Sequence, residues 1–135
     1  MNYAIIVSEF NEAIVEGLLK ECLKGFEEQG ITPEVIRVPG AVEIPLAAQV
    51  YIQEKRPEAV VALGCVVAGG TDHYEAVCRM ASDGIMRVML DTGVPIVFEV
   101  LMVDDEKKAL ERLGKGYHAA YTATRMAELT RSKNK

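Results

Sequence analysis

The sequence predicts an α/β fold, a four-stranded parallel sheet between two layers of helices (α/β/α). Three observations carry that expectation. Short β-rich runs alternate with helix-period segments along the whole 135 residues, the pattern of parallel strands joined by right-handed helical crossovers. The run Ala59 to Val67 is almost continuously apolar, as a strand covered on both faces must be. Half of the residues are apolar, enough to build a core for the single domain, residues 1–135, that this length implies.

The elements follow in order. Tyr3 to Val7 reads as the first strand. Asn11 is placed to cap a helix running to about Gln29, in which Ile14, Leu18, Cys22 and Phe26 share one face, and Gly30 stops it. Glu34 to Val38 is the second strand, closed by Pro39-Gly40. A helix from about Glu43 to Lys55 tolerates Pro45 in its first turn. Pro57 separates it from the third strand, Ala59 to Val67. Asp72 and Glu75 have capping-box spacing and open a third helix to about Leu90, ended by Gly93-Val94-Pro95. Ile96 to Leu101 is the fourth strand, and Asp104-Asp105 caps a short helix through about Leu113. Lys115-Gly116 reads as a break before a final amphipathic helix from Tyr117 to about Arg131, with Ser132 to Lys135 expected to fray. The economical strand order is 2-1-3-4. Its switch point lies between the first and third strands, where ligands bind beyond the carboxyl ends.

Charge and composition exclude several functions. A net charge of −5 argues against a nucleic-acid partner. No apolar run approaches the roughly 20 residues that span a bilayer. Met1 to Val7 lacks the basic region and cleavage site of a signal peptide. Cys22, Cys65 and Cys78 form no CxxC and sit in apolar settings, so buried free thiols in a reducing cytoplasm are expected. Two histidines without a His/Cys cluster argue against a metal site.

Three loops converge on the switch point: Ser8 to Asn11, Pro39 to Glu43, and Ala68 to His73. Gly69-Gly70-Thr71, between a strand and a helix N-terminus, has the form of a phosphate cradle. It equally suits a tight turn with a helix cap, and it is neither a Walker A loop nor a GxGxxG fingerprint. His73 beside it is a general acid/base or a capping histidine. Phe10 either stacks on a planar ring or staples a helix entry, and Glu43 either bonds hydroxyls or complements a helix dipole. Arg112 and Lys115 either close over an anion or are ordinary cations near a helix end.

The same residues resemble the 6,7-dimethyl-8-ribityllumazine synthase family of riboflavin biosynthesis. The resemblance rests on Glu9-Phe10-Asn11, Val38-Pro39-Gly40-Ala41-Val42-Glu43-Ile44-Pro45, Ala62 to Val67, Gly69-Gly70-Thr71-Asp72-His73-Tyr74, Leu90 to Pro95, and Ala109-Leu110-Glu111-Arg112, in order along nearly the whole chain. It implies a flavodoxin-like fold and a transferase reaction. In that reaction 5-amino-6-(D-ribitylamino)uracil condenses with 3,4-dihydroxy-2-butanone 4-phosphate and inorganic phosphate is lost, with no metal or organic cofactor. Phe10 would stack on the pyrimidine ring, and Ala41, Val42 and Glu43 would hold the ribityl chain. Val66, Val67 and Lys115 are further substrate-binding positions. Gly69, Gly70, Thr71 and Arg112 would bind the phosphate, and His73 would shuttle protons. Family sites lie between subunits of a pentamer, so Phe98, Arg112 and Lys115 would come from the adjacent chain of a homo-oligomer.

Some positions depart from the family pattern. Ala68 stands in place of an arginine, Val42 of an aromatic, Glu99 of a small residue, Met102 of a threonine, and His118 of a glutamate. The loop between Arg112 and Lys115 is short, and the N-terminal extension that shell-forming members pair with a neighbour is not expected. Loss of an arginine bond to phosphate implies weaker butanone phosphate binding, by roughly 1.5–3 kcal/mol. A weakly active or inactive member serving as an oligomeric scaffold is the second reading. A flavin or nucleotide carrier of flavodoxin type would instead retain a chromophore or nucleotide, and a response-regulator domain would need a carboxylate cluster that the isolated Glu9 does not supply.

Overall fold

The continuous apolar run forms the nine-residue strand β3 (Ala59–Val67), which lies inside the sheet and is buried along nearly all its length. In the computed structural model, which describes residues 2–70 and 72–133, it is flanked by β1 (Tyr3–Ser8) and β4 (Ile96–Val103), and β2 (Glu34–Val38) pairs with the far side of β1. The order is β2-β1-β3-β4 and every pairing is parallel, as expected. The helices are α1 (Glu12–Glu27), α2 (Ile44–Lys55), α3 (Tyr74–Thr92), α4 (Glu106–Leu110) and α5 (Lys115–Lys133).

Strand side chains alternate between two cores because successive residues point to opposite faces. Tyr3, Ile5, Val7, Val61 and Leu63 pack beneath α1 and α5, joined by Leu18, Cys22, Phe26, Ala120 and Ala123. Ala4, Ile6, Val60, Ala62 and Val100 pack beneath α2 and α3 with Ile44, Ala48, Ala81 and Ile85. The sheet is therefore covered on both sides, which is why its interior strands carry no polar face.

Several boundaries differ from the sequence expectation. Asn11 occupies the N-cap position of α1 but in the left-handed region, φ 61°, and its side chain caps nothing in the helix. The Pro39–Glu43 segment contributes a 3-10 turn, Ala41–Glu43, before α2 begins at Ile44. Asp72 does not open α3: a 3-10 turn over Ala68–Gly70 follows β3, and the helix starts at Tyr74 with His73 at its N-cap and no side-chain cap. Strand β4 extends two residues further, to Val103, because its last four residues stay in register with Gly64–Val67 of β3. Asp105 caps α4 as expected, accepting from the Lys108 amide at 2.9 Å, but that helix ends at Leu110.

The largest correction concerns Lys115-Gly116. These residues are the first turn of α5, not a break. A Cβ on Gly116 would collide with the Leu18 carbonyl oxygen of α1, and one on Gly25 would sit 2.7 Å from the Tyr117 carbonyl oxygen. The glycines let the two helices approach closely. Helix α5 reaches Lys133, and Asn134-Lys135, part of the tail expected to fray, lie outside the described residues.

Candidate active site

Backbone hydrogen bonds sew two of the three converging loops together. The Glu9 amide donates to the Val38 carbonyl at 2.8 Å and the Phe10 amide to the Pro39 carbonyl at 3.3 Å. The third tie comes from a side chain. Asn11 Nδ2 donates to the Cys65 carbonyl at 2.9 Å, joining the end of β1 to the end of β3. Asparagine suits this position because it tolerates left-handed backbone better than most residues.

These ties frame a cleft of about 240 Å³ at the carboxyl ends of β1 and β3, lined by Phe10, Asn11, Gly40, Ala41, Val42, Glu43, Cys65, Val66, Val67 and Val77. It lies at the switch point, as expected. The cleft is mostly apolar with few polar groups, the usual chemistry of a small-molecule site. Phe10 is 70% exposed, so its ring is not core filler. A Cβ on Gly40 would meet Glu43 Oε1 at 3.2 Å and Phe10 Cδ2 at 3.6 Å. Gly40 thus separates the ring from the carboxylate and keeps both near one wall. The 3-10 turn over Ala41–Glu43 lines the same cleft.

Of the expected site residues, the structure therefore gathers Phe10, Ala41, Val42, Glu43, Val66 and Val67. Among the described residues, Gly69, His73, Phe98, Arg112 and Lys115 do not line this cleft within one chain. Gly69 and Gly70 form the 3-10 turn after β3, and a Cβ on Gly69 would meet nothing within 4 Å. Thr71 lies outside the described residues. His73 sits at the α3 N-cap with an exposed side chain, its carbonyl accepting from the Val77 amide at 2.9 Å. Phe98 is on β4, half-buried against the α2/α3 core. Arg112 is in the turn after α4 and Lys115 opens α5, both exposed.

Four lining residues were not singled out as site residues from sequence: Asn11, Gly40, Cys65 and Val77. Asn11 was read as a helix cap at the edge of a converging loop, and its real bond crosses 54 residues of sequence. Cys65 and Val77 look like core residues because they are core residues whose outer atoms reach the cleft. Burial pushes the Cys65 thiol up to about 11, with the Glu106 carboxylate adding to the effect. Burial pushes Cys22 up to about 12. Both remain protonated near neutral pH and are poor nucleophiles. Among the described residues, no group of three or more His, Cys, Asp or Glu side chains is arranged to hold a metal ion, and no helix is long and apolar enough to cross a membrane.

Comparison with known proteins gives one consistent result. A profile of the 6,7-dimethyl-8-ribityllumazine synthase family matches residues 1–131. A protein of that name from Thermococcus gammatolerans is 40% identical over 136 residues, covering 97% of this chain and 88% of that protein. Another of that name, from Azoarcus sp., is 42% identical over 133 residues, covering 96% of this chain and 85% of its own. Among solved structures, a flavodoxin from the domain Archaea is 13% identical, covers 90% of this chain and 99% of its own, and has a TM-score of 0.44.

Proposed function

The chain belongs to the 6,7-dimethyl-8-ribityllumazine synthase family, and from that premise we propose that it makes the lumazine precursor of riboflavin. The 5-amino group of 5-amino-6-(D-ribitylamino)uracil condenses with the ketone of 3,4-dihydroxy-2-butanone 4-phosphate, releasing water as the imine forms. Phosphate is then eliminated, the ribityl-bearing nitrogen closes the second ring, and a further water leaves. The steps are additions of nitrogen to carbonyl carbon, eliminations and proton transfers, so orientation and acid–base help suffice.

The observation that carries this reading is the switch-point cleft, where Phe10, Ala41, Val42, Glu43, Val66 and Val67 meet. An exposed ring near a carboxylate in a mostly apolar cleft suits a substrate with a flat heterocycle and a polyol tail. In this reading Phe10 stacks on the pyrimidine, and Glu43 with the Ala41 and Val42 backbone holds the ribityl hydroxyls. The turn Gly69-Gly70-Thr71 receives the phosphate and His73 moves protons between imine, leaving group and ring.

Phe98, Arg112 and Lys115 then act on the cleft of a neighbouring copy, in a pentamer or a pentamer-based assembly. Two features support this. All three stand on β4 or the segment after it, away from their own chain's cleft. The outer faces of α2 and α3 expose Leu46 (66%), Met80 (61%), Met86 and Leu90 (72%), apolar side chains that a neighbouring copy would cover.

Incubation with both substrates tests the reading, following lumazine fluorescence and free phosphate together. Equal amounts of the two products are expected. A folded, assembled protein that forms neither at millimolar substrate would overturn it and leave the scaffold reading.

A further inference from the structure

The turn that carries Glu43 rests on helix α3, which also lines the cleft. Helix α2 begins at Ile44, with Glu43 at its N-cap and Pro45 in its first turn. Ile44 is fully buried, and the Glu43 amide donates to the Gly40 carbonyl at 3.1 Å, so the backbone of the turn is tethered at both ends. The Glu43 side chain makes no cap hydrogen bond. A capping side chain bonds the amide of the second or third helical residue, and the second here is Pro45, which has no N–H to offer. One of the two groups that could draw the carboxylate back onto the helix is thus missing, and Glu43 is left to line the cleft.

Pro45 has a second role in the packing. A Cβ built on Gly84 of α3 would lie 2.7 Å from Pro45 Cγ and 2.9 Å from Pro45 Cβ, closer than such atoms can approach. The proline ring is therefore seated on the bare backbone of α3. A pyrrolidine ring is closed onto its own backbone, so it cannot swing aside as the end of a long side chain can. Gly84 lies about two turns beyond Val77 and shares its face of the helix, with fully buried Ala81 between them. Val77 itself lines the cleft. One face of α3 thus supplies a piece of the cleft and, two turns on, the seat for the turn that carries Glu43. Glycine inside a helix is destabilising relative to alanine, and the seat for Pro45 is what it makes room for.

We propose that Gly84 and Pro45 are positioning residues: the Pro45 ring, seated on the Gly84 backbone, fixes the 3-10 turn Ala41–Glu43 and so sets where the Glu43 carboxylate meets the ribityl chain. The substrate part rests on the synthase reading above. Neither residue lines the cleft, and both act through the turn. They therefore bear on the pyrimidine substrate, which Glu43 holds, and not on the butanone phosphate.

Steady-state kinetics on the assembled protein test it with Gly84→Ala, Pro45→Gly and the pair. Gly84→Ala is expected to raise KM for the ribitylamino-uracil roughly three- to tenfold, with KM for butanone phosphate and kcat changed less than about twofold. Pro45→Gly removes both atoms that the new methyl would meet, so on that background Gly84→Ala should change KM less than about twofold. An equal rise in both KM values, or the same rise on both backgrounds, overturns the proposal. Pro45→Ala keeps the test open if Gly84→Ala does not fold. It withdraws Cγ from the seat and restores an N–H to the first turn, so it should raise the same KM by itself, and an unchanged KM overturns the proposal. Amide hydrogen exchange gives a readout that needs no turnover. Gly84→Ala should speed exchange of the Glu43 amide about tenfold and leave that of Val60, bonded to the Pro95 carbonyl at 2.9 Å, unchanged. No change at Glu43, or an equal change at both, overturns the seating of the turn. A wild-type protein that makes no lumazine sinks the synthase reading alone, and the exchange then decides whether Gly84 and Pro45 hold the turn.

Discussion

Ser8 and Phe10 stand two residues apart at the end of β1 and have opposite fates. Phe10 is exposed at the cleft, so its loss should be felt in function rather than stability. Phe10→Ala is expected to raise KM for the ribitylamino-uracil roughly fivefold, the equivalent of about 1 kcal/mol of stacking. Chemical denaturation should show little change, and a large fall in stability would show that the ring is a helix staple. Ser8 is buried, 1% exposed, and its Oγ has no hydrogen-bond partner among the described residues. An unpaired buried hydroxyl is destabilising, so Ser8→Ala should raise stability by about 1 kcal/mol in urea titrations. A fall would mean that the hydroxyl is bonded after all. Glu99 adds a pH dependence. Burial raises its carboxyl in the folded state, so the folded chain holds this proton where the unfolded chain has lost it. Its contribution therefore falls as pH rises from the ordinary glutamate value, about 4.3, through the raised folded value, and then levels off. Glu99→Gln should be stabilised relative to wild type at pH 7 but not below pH 4. Equal effects at both pH values would contradict the burial of this charge.

At the scale of elements, the close approach of α1 and α5 decides how the second half of the chain is placed. Gly116 lies against the Leu18 backbone and Gly25 against that of Tyr117, so neither site has room for a methyl group. Gly116→Ala is expected to lower stability by about 1–3 kcal/mol or more through overpacking against rigid backbone. Gly114→Ala is the control, since a Cβ there meets nothing within 4 Å. It should be close to neutral, and similar losses at both positions would argue for a general helix-start effect rather than packing. This is also where sequence reasoning was weakest. Gly116 looks like punctuation because glycine usually breaks helices, and only the partner helix reveals that the missing side chain is a packing feature. Asn11 shows the same limit: its type suggested a cap, whereas its amide bonds a carbonyl on β3. By contrast, β2 and β3 have the bounds read from the sequence, because turn residues flank unbroken strand runs.

For the whole molecule, the question is what covers α2 and α3. If copies associate through these faces, a charge placed there should dissociate the assembly without unfolding the chain. Met80→Asp with Leu90→Lys is expected to reduce the mass seen by sedimentation to that of one chain of 14.8 kDa, with the α/β circular dichroism retained. Turnover should vanish with the assembly, because a lone chain gathers only the Phe10–Val67 half of the proposed site. An unchanged mass would remove this interface, and full activity in a monomer would show that the site does not need a neighbour.

The sequence by itself determined the strand–helix alternation, the covered parallel sheet, the switch point and the family. Each is written in local pattern: two-residue alternation or continuous apolar runs for strands, spaced apolar positions for helices, and motifs whose residues are adjacent. Tertiary structure alone decided which groups meet. The Asn11–Cys65 tie, the Gly116 contact with Leu18 and the Gly25 contact with Tyr117 all join residues far apart in the chain. Such contacts depend on the register of β3 with its neighbours and on how closely α1 and α5 approach, and no local run of residues encodes either.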